Sequence, residues 1–235
     1  MRLLWGGDQT IHHLRRMPTS PRCVDIAFAD RYSLCLMSAP AILAAESKAL
    51  QALTVGFYND AYLLDQNACS SPHLVLWQGA AQEVTEAQER FWGGMQTLLH
   101  TKGQSTGIHA VDKYTHLCRT GILIKGAKAT PSTDNRIVRI SIDKLPENVA
   151  LYRGRYGFFI ETIDNDLRQL QRIVNSRYQT LTCFGVDFDL IAQMVVSNGL
   201  KGIDRVVPVG KALDIGVIWD GYDIILAISR IVAKI

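Results

Sequence analysis

The chain has 235 residues, 48% apolar and 20% charged, with a formal net charge of +3. That length buries a sizeable core, and that composition excludes a disordered segment. Lysines and arginines are scattered rather than gathered on one face, which argues against nucleic-acid binding, and no apolar run reaches the roughly 18 residues of a membrane span.

The opening MRLLWGGDQTIHHLRR is apolar over too few residues for a secretory signal and lacks a small-residue cleavage site. Residues 2–7 read as a short strand ending at Gly6-Gly7, and the polar residues after it can open a helix. A strand starting at the first residue suggests a chain that begins inside a larger fold. VDIAFAD (24–30) reads as a buried strand, and Ser38 offers an N-cap, with Pro40 in the first turn, for the apolar helix that follows. Asp65-Gln66-Asn67 breaks the pattern, Cys69 follows, and HLVLW (73–77) has a buried strand's composition.

Thr85 and Gln88 have capping-box spacing before a helix with Phe91, Met95 and Leu98 on one face. IHAVDKYTHL is a second amphipathic segment, leading to the loop KGAKATPSTDN. Strands then alternate with helices: RIVRISI (136–142), YGFFIETI (156–163), DNDLRQLQRIV capped near Asp164, YQTLTCF, DFDLIAQMVVSN stopped at Gly199, and IDRVVPV. An amphipathic helix, DGYDIILAISRIVAKI, is expected to close the chain. The alternation predicts an α/β fold with a largely parallel sheet layered with helices.

Five cysteines (Cys23, Cys35, Cys69, Cys118, Cys183) without CxxC spacing fit reduced thiols in a cytoplasmic protein. Cys69, in DQNACSSPHLVLW, lies between a helical segment and a strand, where a following helical turn can offer N–H groups to a thiolate or an oxyanion. Asn67, Ser70 and Ser71 add polar groups nearby. Cys69 as a small buried hydrophobe is the alternative, and so is Ser70 as a simple turn residue. Glu161 is a candidate carboxylate for catalysis or ribose binding, set against a solvated strand-end glutamate. His12-His13 and the pair His109 and His116 show no metal-ligand spacing, so no metal is expected. GxGxxG, GxxxxGK[ST] and GxSxG are all missing.

DQNACSSPHLVLW resembles the nucleophile segment of the aldehyde dehydrogenase superfamily, and VDIAFAD resembles its strand ending in Phe-Ala-Asp. WGGDQTIHHL sits where that superfamily turns from strand to helix near the nicotinamide and phosphates. RVVPVGKALDIGVIWDGYDIILAISRIV is similar to the acyl-CoA reductases of bacterial luminescence operons, over the C-terminal half of that family. The resemblance implies an aldehyde dehydrogenase-like catalytic domain at 31–208, the end of a cofactor-binding domain at 1–30, and a segment at 209–235 returning to the core or an interface.

It further implies reduction of a long-chain acyl-CoA, or of an acyl-carrier protein thioester, to the aldehyde with NADPH. Cys69 would be the nucleophile, Asn67, Ser70 and Glu161 its helpers, and Gly6 and Gly7 the fringe of the cofactor site. Implied partners are an acyl-protein synthetase, the chain's own N-terminal cofactor-binding half and further copies in a homo-oligomer. Oxidising relatives carry a water-activating glutamate shortly before the Phe-Ala-Asp strand, whereas RRMPTSPRC has no carboxylate there, which fits reduction. A dehydrogenase relative with another substrate and a non-catalytic remnant or interaction subunit remain as alternatives.

Overall fold

A computed structural model describes residues 1–102, 106–132, 134–230 and 232. The chain divides into two compact units, Tyr32–Leu213 and a smaller one formed by Met1–Arg31 with Asp214–Ile235.

The larger unit is built on seven strands: β3 (Tyr32–Ser38), β4 (Pro72–Gln78), β5 (Lys128–Thr130), β6 (Val138–Ser141), β7 (Phe158–Ile163), β8 (Tyr178–Phe184) and β9 (Arg205–Pro208). Their order in the sheet is β5-β6-β7-β4-β3-β8-β9, and every pair is parallel except β5 with β6. The central strands are apolar on both faces, as a sheet covered by helices on both sides requires.

Leu34, Leu36, Leu74, Leu76, Ile160 and Leu181 point into one core, closed by Leu170 and Ile173 of α6 (Arg168–Ile173) and Ile191 and Val195 of α7 (Phe188–Ser197). Cys35, Met37, Val75, Trp77 and Phe159 point into the other. That face is covered by α2 (Ala39–Ala44), α3 (Ser47–Ala61) and α4 (Ala81–Lys102) through Ile42, Phe57, Phe91 and Met95. Side chains alternating along each strand thus fill two cores, a three-layer α/β/α arrangement. The helix α5 (Gly107–Leu123) packs Leu117 on the first core.

In the smaller unit, β1 (Arg2–Trp5) pairs in parallel with β2 (Asp25–Phe28) across α1 (Asp8–Arg15), as the strand–glycine–helix pattern predicts. Arg2 grips Asp25 at 2.7 Å, and Phe28 packs with Ile26 and Trp219.

Three local expectations are corrected. The helix α4 starts at Ala81, before Thr85. Gly79 leaves β4 at φ +145°, and the Ala80 N–H donates to Glu83 one turn ahead of the expected box, so Thr85 merely bonds back to the Ala81 carbonyl. The loop KGAKATPSTDN contains the short strand β5. Among the described residues the chain does not close on a long helix: Asp220 and Gly221, both at positive φ, turn a hairpin between β10 (Ile218–Trp219) and β11 (Tyr222–Asp223). Only α8 (Ile224–Ile228) follows, with none of its residues buried, and residues 231 and 233–235 of the expected helix lie outside the described residues.

Candidate active site

Cys69 sits in a tight turn, Ala68–Ser71, closed by the Ser71 N–H on the Ala68 carbonyl at 3.0 Å and leading straight into β4. No helical turn follows it, so the expected row of helical N–H groups does not face the sulfur. The turn is fixed from both sides instead.

Upstream, α3 ends at Ala61 and the chain reverses through Asp65 and Gln66, at φ 52° and 56°. Left-handed backbone costs a non-glycine residue about 1–2 kcal/mol, and the buried Gln66 amide offsets it. Its Nε2 donates to the carbonyls of Pro72 and Phe158, both at 3.1 Å, and its Oε1 accepts from the N–H groups of Gly157 (2.7 Å) and Phe158 (3.1 Å). Gln66 thereby staples the loop to β4 and β7. Asn67 is exposed, and its Nδ2 donates to the Leu64 and Asp65 carbonyls at 3.1 and 3.2 Å, which makes it a former of the turn. Ser70 is buried within the turn, and Ser71 Oγ donates to the Asp60 carbonyl at 2.7 Å.

Two buried residues of the sheet complete the site. Ser33 Oγ donates to the Cys69 carbonyl at 2.7 Å and accepts from the Thr180 N–H at 3.1 Å. Gln179 Nε2 donates to Cys69 Sγ at 3.4 Å. Sequence reasoning missed both. The available signal was a polar side chain inside a strand of buried composition, YSLCLMS and YQTLTCF, since a fully buried polar group needs a partner.

Of the five cysteines, Cys35 and Cys183 are buried in the two cores, and burial pushes the Cys183 thiol up to about 12 and the Cys35 thiol well above its usual range. Cys69 is half-buried, with an amide donor on its sulfur.

Glu161 is not brought to this turn. It pairs in register with Val75 of β4, and its carboxylate accepts from Trp77 and Trp92 Nε1 (2.9 Å each), from Gln88 at 3.4 Å and from Arg139 at 3.2 Å. Its register partner Val75 lies three residues along β4 from Pro72, a path of roughly 10 Å at strand rise, and the carboxylate's partners are these side chains rather than the turn of Cys69. Nor is it a solvated strand-end group, because the residue is fully buried. Burial raises its pKa and the Arg139 charge opposes that rise. His109 stacks on Tyr156 at 4.0 Å, and His116 lies 3.9 Å from Asp112.

In the smaller unit, Gly7 precedes α1 with no side-chain cap, and a Cβ placed there would meet nothing within 4 Å. Uncapped first-turn amides beside an open glycine fit the approach of a phosphate, with Asp8 the one opposing charge in that turn.

The acyl-CoA reductase (LuxC) family matches residues 1–232. The chain belongs to that family. No curated protein matches it. Among solved structures, a NAD-dependent benzaldehyde dehydrogenase from Corynebacterium glutamicum is 13% identical with a TM-score of 0.56, covering 88% of this chain and 46% of its own. Aldehyde dehydrogenase 21 from Physcomitrella patens, in complex with succinate, is 11% identical (TM-score 0.58) over 90% of this chain and 45% of its own. Methylmalonate-semialdehyde dehydrogenase from Oceanimonas doudoroffii is 10% identical (TM-score 0.58) over 92% and 46%. At such identities the likeness concerns the fold, which is that of aldehyde dehydrogenases, and this chain spans under half the length of these relatives.

Proposed function

We propose that this chain carries the acylation site of an acyl-CoA reductase and that Cys69 is its nucleophile. One observation carries the reading. Cys69 alone combines a half-exposed thiol, a hydrogen-bond donor on its sulfur and a backbone fixed by Ser33 and Gln66 among the cysteines of a reductase-family chain.

The substrate is a long-chain acyl thioester on coenzyme A or a carrier protein. Cys69 Sγ attacks its carbonyl carbon, the bond from that carbon to the departing sulfur breaks, and the thiol leaves with the proton that Cys69 gave up. NADPH, when bound, supplies the reducing equivalents, and the first-turn amides of α1 beside Gly6 and Gly7 would hold one of its phosphates. After reduction the bond between the carbon and Cys69 Sγ breaks, the aldehyde departs and the thiolate is restored. The fixed turn keeps the sulfur in one place through both halves, which is the benefit of positioning in catalysis. Asn67 maintains the turn. The segment RRMPTSPRC offers no carboxylate to activate water, so the acyl group is kept for reduction. An acyl-protein synthetase, a cofactor-binding half and further copies of the chain complete the proposed assembly.

Incubation with a long-chain acyl-CoA followed by intact-mass measurement tests this reading. One acyl adduct is expected on the protein and none on Cys69→Ala or Cys69→Ser. Equal labelling of the Cys69→Ala protein would overturn the assignment.

A further inference from the structure

We infer that Gln179 is the group that holds the reacting sulfur, and that Thr180 and Arg205 fix its amide in the donating orientation. The inference rests on the proposed role of Cys69 and extends it to Gln179, 110 positions further along the chain, and to the residues that orient it.

The sheet is irregular at this one place. On β3, Tyr32 faces Tyr178 and Leu34 faces Leu181, so the single residue Ser33 stands opposite two residues of β8, Gln179 and Thr180. On the other flank Ser33 faces Pro72 while Leu34 faces Leu74, so β4 also carries an extra residue there. Bulges re-aim side chains and are frequent beside active sites. Here the Thr180 N–H is satisfied by Ser33 Oγ at 3.1 Å, and Gln179, itself fully buried, reaches Cys69 Sγ at 3.4 Å.

The direction of the bonds follows from donor chemistry. Arg205 has only donors, so its Nη1 gives a proton to Thr180 Oγ1 at 3.4 Å. The Thr180 hydroxyl then directs its own proton to Gln179 Oε1, also at 3.4 Å. With Oε1 so engaged, the amide nitrogen is the end turned to the sulfur. Arg205 is itself held by the carbonyls of Ala212 at 2.9 Å and Lys211 at 3.2 Å. A donor on sulfur favours the charged thiolate over the neutral thiol. It acts again when the carbon–sulfur bond breaks and the electron pair returns to Sγ.

Other titratable groups lie on the surrounding elements. Asp60 of α3 accepts from the Gly210 and Ala212 N–H groups, at 2.6 and 2.9 Å. His73 of β4 is held neutral by burial, and burial raises Tyr32 of β3 and Tyr178 of β8, which keeps both phenols protonated. Among the cations nearby are Arg205 of β9, and Arg153 and Arg155, whose charges act on His73.

The experiment is alkylation of the full chain by iodoacetamide across pH, with Cys69 followed by peptide mass. Gln179→Glu keeps the shape but sets a carboxylate against the sulfur, and Thr180→Val removes the orienting hydroxyl. We expect the pH midpoint for Cys69 to rise by about one unit in Gln179→Glu, which slows its alkylation near neutral pH about tenfold. A smaller rise is expected in Thr180→Val, with alkylation of the exposed Cys118 unchanged in both. A profile identical to that of the parent chain in a folded Gln179→Glu protein overturns the inference, and if that variant does not fold, an unshifted Thr180→Val does so. Failure of the parent chain to take an acyl group on Cys69 would instead remove the proposed function and leave the alkylation result standing.

Discussion

Both ends of the Gln66 amide are occupied, and its partners lie on two different strands, so its loss leaves several buried backbone groups unpaired. Each such group costs about 1–3 kcal/mol. Gln66→Ala should therefore lower stability by about 2–4 kcal/mol in urea unfolding, and an unchanged midpoint would refute its role as a staple. Asn67→Ala removes only an exposed turn contact; it should cost at most about 1 kcal/mol and slow acylation while the circular dichroism spectrum stays native. Loss of the fold would show Asn67 to be a core structural residue. The segment DQNACSS was legible as a site because its polar residues interrupt two apolar elements. Which of its amides turns inward was not, since Gln66 and Asn67 are equivalent until the left-handed backbone points one at β7 and the other at solvent. Ser33 and Gln179 reach Cys69 only through strand register, which local pattern does not encode.

At the level of elements, β3 and β4 are joined near the site by His73, stacked on Tyr32 with ring centroids 5.4 Å apart and with Nδ1 3.0 Å from the Gly154 carbonyl. A carbonyl only accepts, so Nδ1 carries the proton of a neutral ring. Burial first, and the Arg153 charge next, push its pKa down to about 3. Between that value and an unfolded value of about 6.5 the unfolded chain binds the extra proton. Stability from His73 is thus fully present above about pH 6.5 and falls with pH through this window, by up to about 1.4 kcal/mol per unit. Urea midpoints at pH 7 and pH 5 should differ less in His73→Gln than in the parent chain, and an equal difference would refute this source of acid sensitivity. Periodicity located nearly every strand and helix but misplaced two boundaries. Thr85 and Gln88 satisfied the spacing of a capping box, yet Glu83 already served the helix start. In the closing segment, Asp220-Gly221 is a strong hairpin signal. The apolar run after it masked that signal, although the run packs no buried residue.

For the whole molecule, the α/β alternation foretold a largely parallel sheet, which has seven strands with only β5 and β6 antiparallel, and the match over residues 1–232 places the chain in the acyl-CoA reductase family. The sequence suggests the end of a cofactor-binding domain at 1–30 and a returning segment at 209–235, and the smaller compact unit comprises residues 1–31 with those from 214 onward. The smaller unit offers a dinucleotide two parallel strands and one open helix start, so the 235-residue chain should bind NADPH weakly. A low-micromolar dissociation constant by fluorescence titration would contradict that. In the proposed reaction Cys69 holds an acyl group until reduction or a returning thiol removes it. General bases contribute about 10²–10⁴-fold, and Glu161, the one carboxylate singled out for such a role, is engaged with Trp77, Trp92, Gln88 and Arg139. The decisive measurement loads the chain with radiolabelled long-chain acyl-CoA, removes the excess and follows release of free fatty acid. The label should remain on the Cys69 peptide for minutes or longer; release within seconds, or label on another residue, would contradict the account.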